Sequence, residues 1–172
     1  YKAETKGKDT YDNIVIGFET KASSKANRSI AMGYKASVAD GASTAAFGES
    51  ATVSKLPANK TTPINGTSKQ VVTDGSGNVT NVIGTSQNEE AVINSYGATF
   101  GSQAFGYKAS SHGLLANSFG AFSTTGATGA SAYGAQSEAL GKFSTAIGFN
   151  SKARQKDSSA FGYFAEANAK DS

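Results

Sequence analysis

The stretch SQAFGYKASSHGLLANSFGAFSTTGATGASAYG (102–134) sets Gly106, Gly120 and Gly134 fourteen residues apart, each behind a large apolar residue and, before that, a small one. Downstream the same spacing continues through STAIG and SSAFG to Gly148 and Gly162. Upstream NIVIG, SIAMG and TAAFG place Gly17, Gly33 and Gly48 at spacings of sixteen and fifteen. The near-identical SIAMGYKAS (29–37) and SQAFGYKAS (102–110) are thus two members of a column of eight, not a lone duplication.

A period of fourteen is too short for a helix pair or a leucine-rich unit. It accommodates two short strands and two tight turns. Leucine occurs only at Leu56, Leu114, Leu115 and Leu140, and Gly and Ser punctuate the repeats, which favours strands and turns over helices. The expected fold is all-β: a parallel β-roll solenoid with two strands per coil.

Alternate residues of a strand share a face. In the strand before each glycine, Ala31, Ala46, Ala104, Ser118, Ala132, Ala146 and Ala160 form one column. Met32, Phe47, Phe105, Phe119, Tyr133, Ile147 and Phe161 form the other. A strand apolar on both parities is normally covered on both sides. In the second strand Ala165, Ala167 and Ala169 alternate with Phe164, Glu166, Asn168 and Lys170, and Ser151 and Ala153 with Lys152, Arg154 and Lys156. That strand is expected to turn its charged face to water. The first strand's large apolar face then needs a cover, and copies of the same chain around a symmetry axis are the simplest one.

Composition agrees with a thin-cored, extended architecture. Apolar residues make up 38%, largely alanine, and the 20 glycines are about 12% of the 172 residues, against a usual ~7%. There is no cysteine, so neither disulfides nor thiolate metal sites are expected. The net charge is +3 with a pI near 9.0, but cations are interspersed with acids. Lys152, Arg154 and Lys156 read as one solvated strand face and not as a nucleic-acid groove. No apolar run approaches the ~18 residues of a membrane span, and no signal-peptide pattern opens the stretch.

The strings SIAMGYKAS, SQAFGYKAS, ANSFGAFS, SAYGAQS and STAIGFNS resemble the head repeat of trimeric autotransporter adhesins, the YadA-like head domain. Its motif runs roughly Asn-Ser-Val-Ala-Ile-Gly-x-x-Ser, and STAIGFNS at 144–151 lies nearest to it. The resemblance covers roughly 14–53 and 96–170. It implies a left-handed parallel β-roll, three of which pack into a homotrimeric head. It also implies display on the outer membrane of a Gram-negative bacterium, and binding of host extracellular-matrix proteins or host-cell receptors. The receptor class includes immunoglobulin-like adhesion receptors of the carcinoembryonic-antigen-related type. No stalk heptads or neck sequence appear by Ser172, so a membrane anchor outside this stretch rests on the resemblance alone. A monomeric β-solenoid enzyme or ice-binding protein is the rival class. It would need a flat Thr array, or an Asp/Arg/Lys cluster, that cannot be placed on one face.

The expected division is an N-terminal set of coils over 1–53, an insertion over 54–95 and a C-terminal set over 96–172. Pro57 and Pro63 both fall in the insertion, where proline does not interrupt a stacked strand. KQVVTDGSGNVTNVI (69–83) carries two β-prone runs about Asp74-Gly75-Ser76-Gly77 and predicts a hairpin, with Val71, Val72, Asn78 and Val79 as candidate partner contacts. Insertions between solenoid coils emerge as loops on one face, often the binding face.

Catalysis is not expected. His112, the one histidine, reads as a surface residue in a turn or outer strand, and no Ser–His–Asp order surrounds it. Glu89 and Glu90 lie in the insertion as solvated charges. Asp74-x-Ser76-x-Asn78 lacks the glycine and closing Glu of a calcium loop, Val79 and Thr85 standing at the later positions. No cofactor, metal or nucleic-acid partner is expected. One or two places after the repeat glycines lie Phe18, Tyr34, Tyr107, Phe122, Phe149, Tyr163 and Phe164. They pack between subunits or serve as amphipathic anchors for a partner, and Tyr107, Phe122, Phe149, Tyr163 and Phe164 are the candidate contacts.

Overall fold

The computed structural model describes residues 2–6, 11–23, 26–39, 41–54, 61–63, 70–72 and 99–169. Among these the regular structure is all β, with short strands numbered in chain order. The first sheet, here the polar sheet, stacks β1 (Glu4–Lys6), β3 (Lys21–Ser23), β5 (Ser37–Ala39), β7 (Thr52–Val53), β11 (Ser110–Ser111), β13 (Thr124–Thr125), β15 (Glu138–Ala139), β17 (Lys152–Ala153) and β19 (Glu166–Ala167). The second, the aromatic sheet, stacks β2 (Ile14–Ile16), β4 (Ile30–Met32), β6 (Ala45–Phe47), β10 (Gln103–Phe105), β12 (Asn117–Phe119), β14 (Ser131–Tyr133), β16 (Thr145–Ile147) and β18 (Ser159–Phe161). Every pairing within the two sheets is parallel, so the chain winds as a β-solenoid of about eight turns.

Between the sheets lies a core one alanine thick. The inward parity of the aromatic sheet supplies Ala31, Ala46, Ala104, Ser118, Ala132, Ala146 and Ala160. The polar sheet answers with Ala22, Val38, Val53, Ser111, Thr125, Ala139, Ala153 and Ala167, and all of these are buried. Each methyl contributes only about 0.8 kcal/mol, so stacking of backbone on backbone carries much of the cohesion. Gly120, Gly134 and Gly148 donate their N–H groups to the carbonyls of Phe105, Phe119 and Tyr133, each at 2.8 Å. Buried hydroxyls find partners as burial requires: Thr125 Oγ1 donates to Ser111 Oγ at 3.0 Å, and Ser118 Oγ to Ser123 Oγ at 3.0 Å.

Two corners join the sheets. After each aromatic strand the repeat glycine takes φ between 120° and 133° at all eight positions. The residue two further on is left-handed, as at Lys108 (φ 51°), Phe122 (φ 59°) and Phe164 (φ 55°). In three of these turns a serine three after the glycine closes the turn. Ser123 and Ser137 Oγ donate to the carbonyls of Gly120 and Gly134 at 2.8 Å, and Ser151 Oγ to that of Gly148 at 3.1 Å. The corner before each aromatic strand repeats the device without a fixed residue type. Its left-handed residues include Arg28, Ser43, Leu115, Phe143 and Asp157, and Ser144 and Ser158 close it on Gly141 and Gln155.

The solenoid does not lose register across the interruption. β6 pairs directly with β10, Phe47 level with Phe105, and β7 with β11, Val53 level with Ser111. Ser54 is therefore level with His112, and its N–H donates to Ser111 O at 3.2 Å. Leu115 N–H bonds Phe100 O at 2.9 Å, which sets Gly101 level with Leu115 and Thr99 level with Gly113. Ser54 and Thr99 thus occupy consecutive places in the coil. Gly48 and Gly106 stand 58 residues apart, and removing the 44 residues 55–98 leaves fourteen, the period of the later coils. Deleting 55–98 and joining Ser54 to Thr99 is expected to leave the solenoid folded, with unchanged far-UV circular dichroism and a melting temperature within about 3 °C. Loss of the cooperative transition would show instead that the segment holds its neighbouring coils together.

Within the interruption, Thr61–Pro63 (β8) and Gln70–Val72 (β9) pair antiparallel, Thr62 level with Val71. The sequence placed the hairpin turn at Asp74–Gly77. The observed partner of Gln70–Val72 lies on its N-terminal side, and the run 78–83 lies outside the described residues. Pro63 stands in β8, which among the described residues pairs on one side only, the setting in which a strand tolerates proline.

Candidate interaction faces

The outward parity of the aromatic sheet carries the large apolar column. Parallel in-register stacking sets like side chains one coil apart, so the rings of Phe47, Phe105, Phe119 and Tyr133 lie face over face. Their successive centroids are 4.7, 4.8 and 5.2 Å apart, with planes within 8° of parallel. Among the described residues each ring stacks on its neighbours in the column. Towards the two ends Ile16 is 54% exposed and Phe161 63%. The result is an apolar strip along the stack, and contiguous exposed apolar surface of this kind marks an interaction surface.

The polar sheet's outward face differs along its length. Lys21 and Glu166 are exposed near its ends, as the alternation predicts. Lys152 Nζ lies 3.2 Å from Glu166 Oε1, and Arg154 Nη2 lies 3.4 Å from Glu138 Oε2. Asn168, then Lys152, hold the Glu166 carboxyl below its ordinary range. The Lys152–Glu166 pair, whose carboxylate is exposed, adds little stability. In the middle coils, however, Ser110 and Thr124 are fully buried on the parity expected to be wet, and Glu138 nearly so. Short hydroxyls satisfied along the sheet need no water, and Ser110 Oγ lies 3.2 Å from Thr124 Oγ1.

His112 is not the free surface residue that its sequence context predicts. It is half-buried directly after β11, and its Nδ1 lies 2.7 Å from the carbonyl of Ser54, the last coil residue before the interruption. Burial pushes its pKa below the ordinary value, against the opposing pull of that carbonyl. The ring is a clamp on the strand end, with no nucleophile or acid bound to it among the described residues.

The corner following each aromatic strand gathers the candidate contacts into three groups. Phe18 stacks on Tyr34 at 5.6 Å, with Lys35 Nζ 4.9 Å from the Tyr34 ring. Tyr34, and then Glu19, keep the Lys35 ammonium above its ordinary pKa. Tyr107 meets Phe122 edge-on at 5.1 Å, and Lys108 Nζ lies within 6 Å of both rings, at 5.1 and 5.8 Å. Phe149 stacks on Tyr163 at 5.7 Å, and Phe164 packs edge-on to Tyr163 at 4.4 Å. Glu49 and Ala135 interrupt the column between the groups. Of the other candidates, Val71 and Val72 belong to β9, which the structure describes by its pairing alone, and Asn78 and Val79 lie outside the described residues.

The opposite corner is one that reading from the glycines misses. Leu115 and Phe143 are 51% and 54% exposed there. Their side chains fold back over Gly101 and Gly129 of the preceding coils, where an added Cβ would come within 2.7 and 2.5 Å of them. The series Gly101, Leu115, Gly129, Phe143, Asp157 keeps the fourteen-residue period, and that spacing alone would have revealed the corner.

Residues 14–36 and 126–151 match the YadA head domain repeat, in two copies. No curated protein matches the chain significantly. The matched segments span β2 to β4 and the turns of β14 to β16, one on each side of the interruption, and the register between them is unbroken. Repeat match and parallel solenoid together support a YadA-like head, the kind of domain found in trimeric-autotransporter-type surface adhesins. That family is one of adhesins and not of enzymes.

Proposed function

We propose that this YadA-like head works as a homotrimer on the outer membrane of a Gram-negative bacterium and binds a host extracellular-matrix protein or host-cell receptor through repeated weak contacts. The observation that carries the reading is the ring ladder Phe47–Phe105–Phe119–Tyr133 with its open continuation at Ile147 and Phe161. A flat apolar strip on an otherwise alanine-cored roll calls for an equally flat, equally long cover. Another copy of the strip is such a cover, and closed symmetry satisfies every copy at once. Three copies present three identical outer surfaces on one rigid stack. Avidity then exceeds the affinity of any one contact by orders of magnitude without new chemistry.

The candidate contacts on that head are the aromatic–lysine corners around Tyr107, Phe122, Phe149, Tyr163 and Phe164, and the segment 54–95 with Val71, Val72, Asn78 and Val79. An immunoglobulin-like adhesion receptor of the carcinoembryonic-antigen-related type is the alternative to a matrix protein. The head is tested by light scattering together with binding to immobilised matrix proteins and receptor ectodomains, using the intact chain and the form lacking 55–98. A mass of three chains and binding that weakens at least about tenfold when the head is made monomeric are the expected results. A mass of one 17.5 kDa chain would overturn the reading. Binding unchanged by the deletion would confine the contact to the roll itself.

A further inference from the structure

We infer that the outer face of the polar sheet over β11, β13 and β15 is a docking face, and that its occupant is the chain's own segment 55–98. The inference is independent of the trimer.

What points to it is a difference between like positions. Ser37, Thr52, Ser110, Thr124, Glu138, Lys152 and Glu166 form one outward column, set level by the pairing of the polar strands. Ser37 with Thr52, and Ser110 with Thr124, are the same residue pair met twice, their hydroxyl oxygens 3.4 and 3.2 Å apart. The first pair is half-buried, whereas the second has no exposed surface. Residue type and stacking are common to both, so neither explains the difference. The burial continues at Glu138 (4% exposed) and Leu140 (2%) and is gone at Glu166. Leu140 shares the outward parity, and its Cδ2 stands 3.2 Å from where a Cβ on Gly126 of the preceding coil would be. A leucine turned outward from a sheet is hidden this far only when something lies over it. The Arg154 side chain in the next coil stands three coils from Ser110 and is no common cover.

The cover belongs to the same chain, because the burial is that of one chain alone. The strands packed against β11, β13 and β15 are their neighbours in the sheet and the aromatic strands on the inner side. Segment 55–98 is the stretch that fits. The coil is left at Ser54, level with His112, and rejoined at Thr99, level with Gly113, so both ends of the segment stand at the edge of the covered patch. The patch extends two coil steps beyond β11, about 10 Å, well within the reach of such a length of chain. The shorter stretches outside the described residues, 7–10, 24–25 and 40, join upstream coils, and 170–172 follows β19. The segment also carries Leu56, Ile64, Val82, Ile83, Val92 and Ile93, apolar partners for Leu140. Because the covered groups are mostly hydroxyls and a carboxylate, which water satisfies as well, docking adds little to the stability of the roll. Its effect is on access: this flank of the head is withdrawn from contact, and the segment's own surface stands in its place.

The absence of native cysteine lets thiol labelling read the cover directly. In the intact chain Ser110→Cys is expected to react with a maleimide at least about tenfold more slowly than Ser37→Cys, its counterpart in the same column. Joining Ser54 to Thr99 is expected to bring the two rates together. A Gly/Ser run of equal length in place of 55–98 serves the same purpose if the direct joint folds poorly. Thr124→Cys against Thr52→Cys repeats the comparison with independent substitutions. Equal rates in the intact chain, or slow labelling of Ser110→Cys that survives removal of the segment, would overturn the docking. Protection restored when the shortened Ser110→Cys chain is refolded with an excess of the intact chain would give the cover to a neighbouring copy and overturn the own-chain assignment.

Discussion

Replacing Gly120 by alanine is expected to cost about 4 kcal/mol or more and to lower the melting temperature by more than about 10 °C. Gly120 has φ +133°, which an L side chain rarely adopts, and its Cβ would stand 2.5 Å from Gly134 O and 2.6 Å from Gly134 C. Both obstacles are backbone, so no rotamer change relieves them, and the next coil must move away. Parting the coils there breaks hydrogen bonds on both sides of the turn, among them Gly134 N–H to Phe119 O and Gln136 N–H to Ala121 O. Gly162 provides the control. It shares the backbone conformation (φ +120°), yet an added Cβ would meet nothing within 4 Å. Gly162→Ala is expected to show only the strain, about 1–3 kcal/mol. Thermal and denaturant unfolding of the two variants separates conformation from close approach. Equal losses would show that stacking of the glycine column does not limit the coil spacing.

Phe119→Asp is the second change of large expected effect, and on the trimer proposal it is expected to act on assembly and not on the fold. Phe119 is the third of four stacked rings, between Phe105 and Tyr133, on the parity facing away from the alanine core. A carboxylate there costs the isolated roll little beyond two ring contacts. In a closed trimer the same change brings three carboxylates together against an apolar strip. Burying each unpaired charge costs several kcal/mol. The expected result is a folded monomer: unchanged circular dichroism, and a light-scattering mass reduced to a third. A variant that remains trimeric would place the subunit contact elsewhere than on the ring ladder.

The repeat, the all-β class and the identity of both core columns are legible from sequence because each coil samples the same environments at the same interval. Glycine at a φ that other residues avoid is the sharpest marker, and alanine on one parity with Phe, Tyr, Ile and Met on the other separates core from outer face. The preceding corner is hard to read for the opposite reason. Its left-handed residues are Asp, Arg, Ser, Leu, Phe and Gly by turns, so only backbone conformation unites them. His112 is misread because the atom that anchors it, Ser54 O, is 58 residues away and belongs to the neighbouring coil only once the interruption is looped out. Gln70–Val72 pairs with Thr61–Pro63, a partner that carries no turn signal as conspicuous as Asp-Gly-Ser-Gly, and the expected second run 78–83 lies outside the described residues. Middle-sheet burial of Ser110 and Thr124 breaks the simple alternation, since hydroxyl pairs are at home in wet and dry settings alike.

The unbroken register across Ser54 and Thr99 has a consequence for how such a head changes over evolutionary time. One coil recognises the next through main-chain bonds, methyl groups and a bare glycine, none of which distinguishes one neighbour from another. Coils are therefore interchangeable bricks, and gain or loss of a whole coil preserves the register of those on either side. Gain or loss of fourteen codons shifts the head's height by about 4.8 Å and leaves the cross-section as it was. Cargo of any length can be spliced in at a corner, as residues 55–98 are, without a seam in the masonry.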